Sequence, residues 1–352
     1  MAQDVNLVKI NAPIKPRLQE FSMRSAPWYW LVLAFGICAS ASAADPAADD
    51  VSAYPSRPVR MVVPFSPGGG TDVLARIFGQ KLGAMWPNAV VVDNRPGAAA
   101  TIGTDIAAKA KPDGLTFVLI ADTHAINVSL LRKLPYGPVK DFSPVILLAT
   151  APHVVVVHPS IPANSLKELI DLAKAKPGVL NYSSSGSGGT SYVLTEIFRA
   201  AAGVNLVHIP YKGAGPAMMG LVQGEAQVTI APAVTTLVQM RNNKARPLAV
   251  LGAQRSPLLP GVPTMVESGF PTIVYDSWYG ILAPAGTPPA ILAKVNADIV
   301  RVMAMPDVKA QLELQGLQAA GGSPADFDTF IKSEIDKWAK AIKAAGVPPV
   351  DL

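Results

Sequence analysis

The stretch Met61–Ala75, MVVPFSPGGGTDVLA, decides how this chain is read. Met61–Phe65 is a short apolar run rich in β-branched residues and reads as a strand. Pro67-Gly68-Gly69-Gly70 forces a turn and leaves its opening bare of side chains. Thr71 and Asp72 suit a helix start, and Val73, Leu74, Ile77, Phe78 and Leu82 recur at helical spacing. A strand feeding a bare loop into a helix offers free N–H groups and the positive end of a helix dipole to an anion. A tight turn without a ligand fits the same residues, because no complete phosphate-loop or dinucleotide fingerprint is present.

The unit recurs at Leu180–Tyr182, where a short strand runs into the small-residue loop Ser183–Ser191. The helix after it carries Val193, Leu194, Ile197 and Phe198 on one face. From Tyr54 onward strands and helices alternate, which predicts an α/β fold with mainly parallel strands. Strands are expected at 89–92, 115–120, 145–149, 154–157, 206–209, 226–230 and 248–251, with a polar loop at Asp122–Asn127. Ser165-Leu166-Lys167-Glu168 is a capping box that opens another helix. Ser277–Leu282 reads as a strand returning toward the first half, followed by a helical tail over 288–303, 306–315 and 324–345. In such sheets ligands bind at the C-terminal ends of strands. Two glycine-rich loops at such ends predict two α/β lobes sharing one anion-binding cleft.

Composition narrows the class. The chain has 352 residues, half of them hydrophobic and 16% charged, enough for a large core in one or two domains. Its net charge of +5 is a small excess of 30 basic over 25 acidic residues. No cluster of Lys and Arg interleaved with aromatics appears, so nucleic-acid binding is not expected.

The N-terminus reads as an export signal. Met23-Arg24 gives a positive start, Trp28–Ala39 an apolar run too short to span a bilayer, and Ala41-Ser42-Ala43 a small-residue cleavage site. The pattern places the start at Met23, with residues 1–22 a gene-start artefact; a cytoplasmic extension is the alternative. The sole cysteine, Cys38, lies in the apolar run behind Ile37, where a lipoprotein signal wants a small residue. Cleavage after Ala43 leaves a periplasmic protein without cysteine, hence without disulfides, thiolate metal sites or a cysteine nucleophile. Residues 1–43 hold four basic and two acidic side chains, leaving 26 and 23 beyond them. Asp45–Ala53 reads as a disordered leader.

From Tyr54 to Val347 the chain resembles the Bug family, periplasmic substrate-binding proteins associated with tripartite tricarboxylate transporters. The resemblance rests on Tyr54-Pro55, Arg57-Pro58, Val63-Pro64-Phe65, Pro67–Asp72, Asn94–Ala98, Pro112-Asp113-Gly114, His124–Asn127, Asn181-Tyr182, Pro210–Gly213 and Leu282–Pro288, in that order and spacing. It implies a type II periplasmic binding protein: two α/β lobes around a ligand cleft, with two chain crossovers. Residues 54–152 plus 280–352 would form one lobe and 153–279 the other. Family ligands are mostly small carboxylates. One carboxylate is held between the first glycine loop and the facing loop through backbone N–H groups and ordered water. Donor-rich neutral sites can do this because charge-assisted hydrogen bonds are strong in a closed cleft.

Carried over, the resemblance places Ser66, Pro67, Gly68, Gly69 and Asp72 on the first ligand loop, and Thr123 and Asn127 on the second. Ser184, Ser185, Gly186, Ser187, Gly188, Gly189 and Thr190 fall on the third, and Tyr211 and Lys212 on the fourth. Ser277 and Trp278 fall at the return crossing. Tyr211 and Trp278 are expected to line the wall and stack on a flat ligand. Two departures matter. Tyr192 stands where the family usually has His, and Ala231-Pro232 where many members have Asp-Asn. Losing that acid removes the partner of a ligand ammonium, so a carboxylic acid without an amino group, with an apolar or aromatic body, is expected. Asp122 stands where a small hydroxyl residue is common; pointed into the cleft, it would repel a second carboxylate.

Two function classes follow. One is a non-catalytic, monomeric receptor that closes on a small carboxylate and delivers it to a membrane transporter or a sensor kinase, with no cofactor or metal. The other is an exported serine hydrolase using Ser187 with one of His124, His153, His158 and His208. None of these histidines has metal-ligand spacing, and position 185 is Ser where a nucleophile elbow wants Gly. The sequence therefore favours the receptor.

Overall fold

The computed structural model describes residues 51–351. The export signal and its cleavage site lie outside them. Val51–Ala53 make a short 3-10 turn at the end of the expected leader.

The chain runs β1 (Val59–Val63), α1 (Gly70–Met85), β2 (Val90–Asn94), α2 (Thr101–Ala108), β3 (Thr116–Ala121), α3 (Thr123–Leu130) and β4 (Phe142–Val157). It continues through α4 (Leu166–Ala175), β5 (Asn181–Ser184), α5 (Thr190–Ala202), β6 (Val207–Pro210), α6 (Ala214–Val222), β7 (Val228–Pro232), α7 (Ala233–Arg241) and β8 (Arg246–Val250). It ends with β9 (Asp276–Pro284), α8 (Pro289–Ala304), α9 (Pro306–Leu314), β10 (Gln318–Gly321) and α10 (Pro324–Ala344).

β4 organises the sheet. Its first part, Phe142–Pro152, pairs antiparallel with β9, and β10 joins on its other side. Its last part, His153–Val157, pairs with β7 and β8. One half-sheet is thus β2-β1-β3-β9-β4-β10 and the other β6-β5-β7-β4-β8. The expected strands at 145–149 and 154–157 are one strand. Pro152 does not break it, because the ladder changes partners there and the missing N–H is not needed.

The expectation of mainly parallel strands holds only at the periphery. β1 is parallel to β2 and β3, and β5 to β6 and β7, but every pair made by β4 and β9 is antiparallel. Strands that cross between the half-sheets and back must run against their neighbours.

Both faces of each half-sheet are covered. Val63, Leu74, Phe78, Leu119, Ile281 and Ile299 pack one side of the first; Trp278, Phe327, Ile331 and Trp338 pack the other. α10 opens with a complete capping box, Ser323 and Asp326 bonding each other's backbone N–H groups.

Candidate functional site

The first loop leaves β1 and starts α1 as the sequence suggested, with Gly69 as N-cap and no side chain capping the helix. Uncapped N–H groups at a buried helix end call for a partner. The start of α1 is buried, and a Cβ on Gly70 would sit 2.5 Å from the Tyr279 hydroxyl, so only glycine fits there. Asp72 does not face this opening. Its carboxylate accepts from the Gly68 N–H (3.1 Å), from Arg76 (3.0 Å) and from the Asn94 amide (3.1 Å). Burial alone would raise its pKa, but these donors hold it below the usual carboxylate range. Asp72 therefore braces the loop.

The third loop leaves β5 and enters α5 in the same way, with Gly189 as an N-cap that no side chain assists. It meets the first half of the molecule closely. A methyl group on Gly188 would collide with Ala99 and lie 3.5 Å from Asn127 Oδ1. The Thr190 hydroxyl donates to Asp122, which also accepts from the Tyr275 hydroxyl and from Ser277 Oγ (2.6 Å). Asp122 is fully buried, and desolvation raises its pKa despite these donors. It is committed to protein hydroxyls. Ser277 thus joins this network, with His153 Nδ1 3.3 Å away.

The expected polar loop at 122–127 is largely helix. Thr123, His124 and Asn127 lie in α3 and are buried. Polar residues there bond to surrounding backbone: Asn127 donates to Ala99 O (2.8 Å), and His124 Nε2 lies 2.8 Å from Pro138 O.

The fourth loop approaches the first. Ser66 Oγ donates to Lys212 O (2.7 Å), and a Cβ on Gly215 would lie 3.0 Å from Pro67 O. Lys212 contributes this carbonyl, while its residue as a whole is exposed. The Tyr211 hydroxyl turns to Glu225 and its ring covers Gly220, so it does not present a stacking wall. Trp278 is 1% exposed, donates to Glu334 Oε2 (2.9 Å) and packs edge-on to Phe327 and Phe330. It belongs to the core behind the sheet, one strand position out of phase with Ser277.

Ser184 ends β5, and Ser185, Gly186 and Ser187 lie on the third loop. Of these serines the one bonded to a histidine is Ser184, 2.6 Å from His208 Nε2, and it is buried. Among the described residues no carboxylate hydrogen-bonds His208, and Ser187 bonds none of the histidines. Nor is there, among the described residues, a group of three His, Cys, Asp or Glu side chains placed to hold a metal ion.

Sequence reasoning missed Tyr275 and Tyr279. Tyr279 shares a strand face with Ser277 and places a buried hydroxyl without a partner beside the start of α1. The period of two along β9 from Ser277 was the available signal.

Two mixed half-sheets joined by crossing strands, each with a glycine loop that opens an uncapped helix, define a two-lobed α/β periplasmic binding protein. A sequence model of the tripartite tricarboxylate transporter family receptor matches residues 74–347, and the chain belongs to that family of periplasmic solute-binding receptors. It is similar to protein BugT of Bordetella pertussis, 36% identical over 310 residues that make up 88% of this chain and 94% of BugT. The structure of Rpa4515 from R. palustris with adipate is 35% identical with TM-score 0.82, covering 84% of this chain and 100% of that one. MatC from Rhodopseudomonas palustris with bound malate is 30% identical with TM-score 0.79, covering 82% and 100%.

Proposed function

We propose that this protein captures a small carboxylate without an amino group and releases it to a membrane transporter or a sensor, with no chemistry of its own. The observation that carries the reading is the pair of uncapped helix starts, α1 and α5, on loops that leave different half-sheets, with α5 held against the end of β3 by Thr190 and the first loop held to the fourth by Ser66. The relatives with adipate and malate support the ligand class. The buried Ala231-Pro232 at the end of β7 offers no acid to an ammonium, and Asp122 is already saturated by hydroxyls.

The reading assigns residues 54–152 plus 280–352 to one lobe and 153–279 to the other. Strand pairing favours a return crossing slightly earlier, at Tyr275–Asp276. The ligand set becomes Ser66, Pro67, Gly68, Gly69, Thr123, Asn127 and Ser185–Thr190, with Ser277 supporting Asp122. Lobe closure follows from the ligand's higher affinity for the closed state.

A thermal-shift screen against aliphatic and aromatic carboxylates, amino acids and neutral amides tests it. At 100 times its dissociation constant a ligand adds about 2.7 kcal/mol of stability. Carboxylates should raise the melting temperature while their amides do not, and X-ray scattering should show compaction. Tight binding of aspartate or glutamate would refute the missing-acid argument, and ester turnover would restore the hydrolase.

A further inference from the structure

Beside the first loop lies a crevice lined by Phe65, Ala100, Thr104, Thr123, His124 and Asn127. Two residues of this lining each carry a buried polar atom without a partner, His124 Nδ1 and Asn127 Oδ1, the latter also turned toward Gly188 on the third loop. Both are acceptors. His124 Nε2 faces the carbonyl of Pro138, which can only accept, so the proton is on Nε2 and Nδ1 is bare. Burial lowers the His124 pKa to about 4, which keeps the ring neutral near pH 7. The Asn127 amide nitrogen donates to Ala99 O, which fixes its oxygen as the unpaired atom. The neighbouring hydroxyl of Thr104 is spent on Ala100 O (2.8 Å). As it stands the crevice is closed, so a ligand group enters only where a wall moves.

One wall is built to yield. Ala98, Ala99 and Ala100 have φ of 44°, 48° and 72°, a left-handed run that costs L-residues energy. This turn also carries the contact with Gly188 on the third loop.

We propose that the crevice seats the far end of the bound carboxylate and selects a neutral hydrogen-bond donor there, a hydroxyl or a carboxamide. The proposal rests on the carboxylate reading above and deepens it. A methyl end leaves two buried acceptors unpaired, a penalty that sites built to bond a hydroxyl use for discrimination. A second carboxylate sets its charge against two bare acceptors, with no Lys or Arg on the lining and only the neutral hydroxyls of Thr123 and Tyr136 to donate. An ammonium finds no free acid. On the lining itself there is no carboxylate; Asp122 is saturated, and Asp105 on α2, whose Oδ2 pairs with Lys109 (2.6 Å) while its Oδ1 is buried without a partner, does not line the crevice.

The test is calorimetric titration of the protein purified from the periplasm of an expression host. The probes are straight-chain monocarboxylates of four to six carbons, each with a far-end methyl, hydroxyl, carboxamide, carboxylate or ammonium. The hydroxyl or carboxamide member should bind at least tenfold tighter than its methyl partner and tighter than the dicarboxylate or amino acid. In the His124→Phe variant the ratio of hydroxyl to methyl affinity should shrink toward one. If the variant fails to fold, the wild-type series alone decides. Equal binding of methyl and hydroxyl members, or preference for the dicarboxylate or the amino acid, overturns the subsite and leaves carboxylate capture standing. Binding by no member overturns both.

Discussion

Two buried histidines should make this protein sensitive to mild acid, and His153 permits a controlled test. Burial pushes its pKa from 6.5 to about 3 and that of His124 from 6.5 to about 4. In the unfolded chain both revert toward 6.5, so below that pH the unfolded state binds more protons than the folded one. Stability must then fall with falling pH, by about 1.4 kcal/mol per unit for each histidine. Between pH 6.5 and 5 each removes about 2 kcal/mol, a large share of an ordinary folding free energy of about 5–15 kcal/mol. Asp122, Asp276 and Glu334 oppose this, because desolvation raises their pKa values. From the ordinary carboxylate value up to each raised value, they cost stability as pH rises. The wild-type slope is therefore smaller than the histidine sum. The difference between wild type and His153→Gln isolates one histidine, because Gln keeps a polar partner for Ser277. Urea unfolding at pH 7.5, 6.5, 5.5 and 5.0 should show the variant losing about 2 kcal/mol less than wild type across that range. Parallel losses in the two proteins would refute the assignment of a neutral, desolvated imidazole at the crossing.

Gly188→Ala drives a methyl group into Ala99 across the lobe contact; carboxylate affinity by calorimetry should drop at least tenfold, and Ala99→Gly in the same chain should restore part of it. Ala99→Gly alone relieves a left-handed alanine at φ 48° against the greater unfolded freedom of glycine, and urea unfolding should show a net gain of about 0.5–1 kcal/mol. Trp278→Ala should cost about 3–5 kcal/mol of stability, as a core truncation does, whereas a tryptophan on a ligand wall would lower affinity with little loss of stability.

The two loop-to-helix units were legible because glycine runs and helical periodicity are local signals. What was not legible depends on partners distant in sequence. α3 hides behind Asp122, Thr123, His124 and Asn127, polar residues that read as loop until their buried backbone and hydroxyl partners are known. β4 looks like two strands because Pro152 interrupts the pattern, and only the exchange of pairing partners explains why the strand survives it. β10, Gln318–Gly321, has no apolar alternation and exists because the edge of β4 is available. At the site, Asp72 and Trp278 were placed by their neighbours in sequence. Side-chain direction turned Asp72 to Arg76 and Asn94, and strand phase turned Trp278 to α10.

On the proposed reading, Asp122 shows how a receptor for anions can carry a buried acid beside its ligand loops. Its charge is neutralised locally by hydroxyls from three places: Thr190 at the start of α5, and Tyr275 and Ser277 at the return crossing. The Thr190 bond exists only when α5 stands against the end of β3, so that bond favours the closed arrangement. Ser66 with Lys212, and Gly188 with Ala99, add to the same arrangement. In the proposed mechanism the protein thus supplies part of the closing free energy, and the ligand supplies the rest through N–H groups that no side chain caps. A ligand contributes only its difference in affinity between open and closed states. Prior contacts between the lobes therefore let a small monocarboxylate, with few groups to offer, shift the equilibrium.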